Sequence, residues 1–264
     1  MKKYWLILRN SFLRVIAYRA NFFFWRIRSL SGVLIGYYLW LTIFDKSKMV
    51  FGYSEMNMLT YMIIIAFTAG TVMSTISYQV SYDIAYGRIS TNILQPINFF
   101  AYLFTRDLAD KIMNTLCSVL EIGVIIIALH PPFFLQPNPI YLLLFLFSLI
   151  FGSVIYFEIM MIISSIAFWS FDTWSIRFVF SILIALMAGM YFPLDILPVP
   201  LYKVVSVLPF SYLIYFPIKL YLGNIHLAQV PLTFGILAIW LVILGYIMHV
   251  MWKKGFKVYT AQGI

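Results

Sequence analysis

Long apolar runs broken by short polar or proline-rich interruptions set the pattern of the chain. The first segment alternates instead. On a helix of 3.6 residues per turn, Trp5, Leu8, Phe12, Val15 and Ile16 share one face, while Lys3, Asn10, Arg14 and Asn21 share the other. Arg19 falls on the apolar side, so the helix is expected to end or bend near it. A basic, aromatic amphipathic helix over 2–21, lying in the plane of a membrane surface, is the reading this favours. The other is a ragged extension of the first span. Arg9, Arg14 and Arg19 leave no apolar core for a signal peptide.

Six spans follow, over about 22–44, 58–80, 112–129, 140–168, 176–192 and 232–252. The first is short. Its uncharged part, Ser29–Phe44, reaches about 24 Å at helical rise, so Arg26 and Arg28 are expected to snorkel to the surface. Between the spans lie a polar loop at 45–57, a charged stretch at 81–111 and the proline-rich turn HPPFFLQPNP at 130–139. A short loop at 169–177 and a proline-punctuated stretch at 193–231 complete the set. That last stretch is too apolar for an exposed loop. Leu194, Ile196, Leu197, Leu201, Val204, Val205 and Leu208 predict short helices dipping back into the membrane, where broken backbone survives only against protein or a wet cavity.

Composition agrees with this. Of 264 residues, 63% are hydrophobic and 10% charged, against about 25% charged in an ordinary soluble domain; mean hydropathy is +0.95. The fold class is therefore an all-α membrane protein, a single transmembrane domain over 1–264. Net charge is +9, and its distribution bears on orientation rather than on nucleic acid. Fourteen Lys and Arg fall in the N-terminal segment, the 81–111 and 169–177 loops and the tail. The opposite side has only Lys46, Lys48, Lys203 and Lys219. The excess places both termini in the cytoplasm of a multi-pass protein of a bacterial-type plasma membrane, 81–111 inside and 193–231 outside.

No catalytic or metal-binding residues are expected. Cys117 stands alone, His130, His226 and His249 are scattered, and no phosphate-binding loop, H-E-x-x-H or G-x-S-x-G is present. Glu121 in the third span is the carboxylate to explain, either as a pathway group or as a hydrogen-bonded link between helices. Glu158, near the inner surface, is expected to snorkel or to be salt-bridged. Tyr61, Phe67 and Tyr78 are aromatic pathway candidates. Small residues at Gly32 and Gly36, and at Ala66, Gly70 and Ser74, could bring helix backbones together at a dimer seam or within the chain.

Two segments carry a resemblance. One is GMYFPLDILPVPLYKVVSVLPFSYLIYFP, Gly189–Pro217; the other is YDIAYGRISTNILQPINFFAYLFTRD, Tyr82–Asp107. At these residues the chain resembles the permease subunit of type-2 ABC exporters. In the first, Gly189, Phe192, Pro193 and Pro198 match the broken outer hairpin, and Pro209 its later Pro–aromatic–Ser–Tyr element. In the second, Gly87, Leu94 and Pro96 match the inner loop, with Asp83 where the family often has Glu. The resemblance implies a substrate pathway formed by two permeases, identical or homologous. It implies two copies of a separate ABC ATPase that hold the ATP and Mg, so this chain needs no cofactor. Docking would run through Asp83, Gly87, Arg88, Ile89, Leu94 and Pro96 in the 81–111 cytoplasmic coupling loop. Lipids are the other partner, and an aromatic, nearly uncharged interior suits a hydrophobic or amphipathic cargo such as a drug, lipid or peptide. An intramembrane enzyme using Glu121 and Glu158, or a non-transporting scaffold or immunity protein, are the competing readings.

Overall fold

A computed structural model describes residues 2–17, 19–94 and 96–259, without the side chains of residues 2, 14–17, 19–22, 25, 92 and 93. Arg14, Val15, Ile16, Arg19 and Asn21, used above to place the first helix, therefore lie outside the described side chains. The described residues are helical with one small hairpin. Helix α1 (Lys2–Ala17) leads to α2 (Arg19–Phe44). Strands β1 (Met49–Val50) and β2 (Tyr53–Ser54) pair antiparallel and feed α3 (Glu55–Val72), capped by the Ser54 side chain. Helices α4 (Ser77–Ala85) and α5 (Ile89–Ile93) precede the long α6 (Phe99–Leu129), capped by Asn98. Then come α7 (Pro139–Ser165), with Asn138 as cap and Pro at its first position, and α8 (Trp174–Ala188). Short helices α9 (Val199–Val207) and α10 (Tyr215–Tyr221) lead to α11 (Val230–Val258).

Among the described residues, five helical stretches are long and apolar enough to cross a membrane: Arg26–Phe44, Glu55–Ala85, Phe99–Leu129, Pro139–Phe168 and Leu227–Val258. The sixth, α8, is a shorter apolar helix that stops at Ala188 rather than running to Phe192. It is about 22 Å long. Gly189 ends it at φ 81°, and its carbonyl accepts a 2.7 Å hydrogen bond from the Tyr61 hydroxyl. A β-carbon there would collide with that hydroxyl, so glycine is needed for space as well as for conformation.

Side chains mark two opposite ends. At one, Trp252 of α11 donates to the Met161 carbonyl (3.0 Å) and is ringed by Phe99, Phe100, Phe168 and Phe256, with centroids 5.4–5.5 Å away. Val80, Ile84, Ile89, Leu103 and Phe157 complete this cluster. At the other, the 130–139 segment is a packed strap. Phe134 N–H donates to Thr60 (2.8 Å), Gln136 to the Tyr221 carbonyl (2.7 Å) and Tyr221 to the Phe134 carbonyl (3.0 Å). The proline-broken segment lies at this strap end, where Trp240 of α11 donates to the Val207 carbonyl (2.7 Å). It is thus opposite the C-terminal end of α11, some 43 Å along a 29-residue helix.

One expectation needs correction, and two others gain detail. The charged 81–111 stretch is not one loop. Helix α4 runs to Ala85, and α6 starts at Phe99, thirteen residues before the expected Ile112. Helix α1 packs along α6 as well as leading to α2. The small-residue stripe of α3 packs within the chain. Ala66 is buried, and a β-carbon at Gly70 would clash with Ser118 of α6. Ser74 lies beyond the end of α3, where its carbonyl accepts from Lys111. Gly36 faces Met62, whereas Gly32 has open space before it.

Replacing Gly70 with Leu is expected to destabilise the detergent-solubilised chain by about 1–3 kcal/mol through overpacking, read as a lower thermal midpoint. Gly32→Leu is expected to leave that midpoint unchanged.

Candidate functional site

The site is built on a broken helix. The second span stops at Val72 and resumes at Ser77, leaving the last carbonyls of α3 and the first N–H groups of α4 without helical partners. At membrane depth each such group costs several kcal/mol unless paired. Helix α6 supplies the partners. Lys111 Nζ donates to the carbonyls of Val72 (2.7 Å) and Ser74 (2.6 Å), and Asp107 Oδ1 accepts from Ile76 N–H (3.1 Å). Lys111 and Asp107 pair at 3.4 Å, one helical turn apart. The cation thus meets the negative end of α3 and the carboxylate the positive end of α4. Both residues are buried.

A second cation holds the far side of the break. Arg177 of α8 donates to the Ser77 hydroxyl, to the Ser77 carbonyl (2.9 Å), to Ser81 (2.6 Å) and to Ser164 of α7 (3.3 Å). Its own helix is started by Asp172, which accepts from the N–H groups of Trp174 (3.2 Å) and Ser175 (3.4 Å). The Ser175 hydroxyl and N–H hold that exposed carboxyl below the ordinary aspartate range. The 169–177 segment therefore serves as an anchor for α4.

Helix α4 continues this held break toward the Trp252 end. Gly87 turns the chain at φ 70°, and α5 follows. Of the predicted docking residues, Arg88, Leu94 and Pro96 are exposed, and Leu94 is 85% exposed. The Arg88 guanidinium lies 5.3 Å from the Tyr82 ring centre, and the Pro96 carbonyl accepts from Lys3 of α1 (3.4 Å). Asp83 is half-buried, and its carbonyl accepts from Arg88 N–H (2.8 Å). Ile89 corrects the expectation: it is buried in the Trp252 cluster and anchors α5. Gly87 is likewise buried, and its role is the turn itself.

The pathway candidates separate. Glu121 does not stand free. Arg26 Nε donates to its Oε1 at 2.7 Å, and Arg26 Nη2 pairs with its Oε2. The same guanidinium donates to Asn114 (3.2 Å) and Ser118 (3.1 Å). Arg26 is buried and does not snorkel, because its charge is met inside the protein rather than at the surface. Tyr61 is fully buried with its hydroxyl on Gly189, so it belongs to the core rather than to a pathway. Phe67 is half-buried against Phe145, at 6.1 Å, and Tyr78 is exposed beside Arg177. Glu158 is buried at α11, close to where a Gly245 side chain would stand, and its Oε2 has no hydrogen-bond partner. It neither snorkels nor forms an ion pair among the described residues, because Gly245 leaves it room between the helices. In the hairpin, Pro193 and Pro209 are buried, Phe192 is half-buried and Pro198 is exposed.

Sequence reasoning missed the polar stripe of α6: Asp107, Asp110, Lys111, Asn114, Thr115, Ser118 and Glu121. These recur every three or four residues, the spacing of one helix face, and they stitch α2 and α3 to α6. That periodicity was the available signal, hidden by placing the first three residues in a loop.

The geometry describes a short, rigidly packed element, α4–α5, that presents exposed residues at one end and is held by charges where it joins a membrane span. The sequence profile of a family described as ABC-2 family transporter protein matches residues 30–263, which take in the break, the exposed loop and the proline-broken segment. Among curated proteins, none matches the chain.

Lys111→Met is expected to cost about 3–5 kcal/mol, because it strands Asp107 and two carbonyls without a cation. Lys111→Met with Asp107→Asn is expected to recover part of that loss. Unfolding of the purified protein in denaturant measures both.

Proposed function

Since the chain belongs to the ABC-2 transporter family and is an integral membrane subunit of that kind, we propose that it is the permease of an ATP-driven exporter, working as a dimer with an identical or homologous permease. In this reading two copies of a separate ABC ATPase dock on the 86–98 turn. ATP and Mg bind there, and the ATPase pushes on α4–α5. The single observation that carries the proposal is the combination at that element. Arg88 and Leu94 are exposed at its tip, while Val80, Ile84 and Ile89 lock it to the Trp252 cluster. A push at the tip is therefore delivered to the break at 73–76 rather than dissipated in a floppy loop.

The lysine and arginine distribution supports placing the Trp252 end, both termini and the 86–98 turn in the cytoplasm, with the strap and hairpin outside. The cargo is a hydrophobic or amphipathic compound, in keeping with the aromatic, nearly uncharged spans. An intramembrane enzyme built on Glu121 and Glu158 is disfavoured, since Arg26 occupies Glu121 and Glu158 faces a different helix seam.

Arg88→Glu combined with Leu94→Asp is expected to lower ATP-driven export roughly 5- to 150-fold, the range of an ordinary coupling energy between sites. The thermal midpoint of the isolated chain should not change, because both side chains are exposed. Full export by this variant in proteoliposomes, with the ATPase present, would remove the docking assignment.

A further inference from the structure

The strap end holds a charged cluster that ATPase coupling does not use. Lys219 of α10 places its Nζ 2.8 Å from Asp195 Oδ2 and 3.1 Å from the Tyr53 hydroxyl. That hydroxyl lies 2.9 Å from both Asp195 oxygens, so it accepts from the ammonium and donates to the carboxylate. The ammonium also sits 5.1 Å from the Tyr53 ring centre and 5.9 Å from that of Tyr215, and the Tyr202 and Tyr215 hydroxyls are 3.2 Å apart. Burial, and then the Asp195 carboxylate, push the Tyr53 and Tyr215 phenols above their ordinary range, so both stay neutral donors. A carboxylate facing the π-faces of tyrosines is the chemistry by which proteins hold an alkylammonium group.

The three central residues come from three places. Tyr53 ends the loop between α2 and α3, Asp195 lies in the 3-10 turn Leu194–Ile196 just after α8, and Lys219 lies in α10 beyond the proline breaks. The cluster therefore fastens the small β-hairpin to the proline-broken segment. It is also built to let go. Arg26 grips Glu121 through two nitrogens, whereas Lys219 offers Asp195 one flexible ammonium. The Asp195 side chain stays 29% exposed, so water can take over its half of the pair.

We propose that Tyr53, Tyr215 and Asp195 form an alkylammonium-binding site that Lys219 fills as a tethered ligand, and that the tie between the β-hairpin and the proline-broken segment loosens when Lys219 leaves. Which side the cluster faces rests on the orientation proposed above.

The test uses the full chain in the membrane of intact cells, with Cys117→Ser and one reporter cysteine, probed by a membrane-impermeant maleimide. Lys203→Cys, at an exposed site on α9, reports which side the hairpin faces. Met58→Cys, at a fully buried core site in the first turns of α3, reports loosening of the packing around the tie. Lys203→Cys is expected to react readily from outside and Met58→Cys slowly. Adding Asp195→Asn or Lys219→Met is expected to speed Met58→Cys labelling about fivefold or more. Exchanging the charges, Asp195→Lys with Lys219→Asp, should slow it again. In Lys219→Ala, propylammonium should slow labelling where the isosteric neutral 1-propanol does not. Equal labelling in all lock variants, or equal effects of the two additives, overturns the proposal. An unreactive Lys203→Cys overturns the assigned sidedness instead, and the same comparison in inside-out vesicles then decides the lock.

Discussion

A backbone that leaves the helix inside a membrane finds no water to satisfy it, and that constraint organises this protein. The chain breaks its second span at 73–76, and the orphaned groups are answered by Lys111 and Asp107 from α6. Arg177 from α8 answers the serines and a carbonyl just beyond. Helices α6 and α8 thereby converge on one discontinuity. An unbroken helix would have needed none of these partners. A break held by charges ties α4 to α6 and α8 while keeping its end groups paired.

Charge serves similarly elsewhere, with different degrees of permanence. The Arg26–Glu121 pair is bidentate, backed by Asn114 and Ser118, and joins α2 to α6 at a depth where losing either partner strands the other. The Lys219–Asp195 pair at the strap end is single-pronged and partly wet.

The helical spans and the broken hairpin were legible in the sequence. Apolar runs, prolines and Gly189 are local signals that the membrane turns directly into structure. The charged residues between 81 and 121 were harder. Asp107 and Lys111 look like loop residues because charge ordinarily means water. They are buried only because another helix breaks opposite them, and nothing local announces that break. Ile89 was misread in the opposite sense. It sits among polar neighbours in a loop, yet the Trp252 cluster, assembled from four distant segments, draws it inside. Gly70 and Ser74 show the same limit: a small-residue stripe says that something packs closely, not what. The periodic polar face of α6 was the one signal of these contacts present in the sequence, and the loop boundary placed at 111 hid it.

The central claim is that force from an ATPase enters through the exposed tip of α4–α5. It is tested most directly by placing a photo-crosslinking amino acid at Leu94 and irradiating the intact complex in membranes. The account expects the crosslink to form to the ATPase subunit and its yield to change between nucleotide-free and ATP-bound states. Crosslinks to lipid or to the permease alone, in both states, would contradict it.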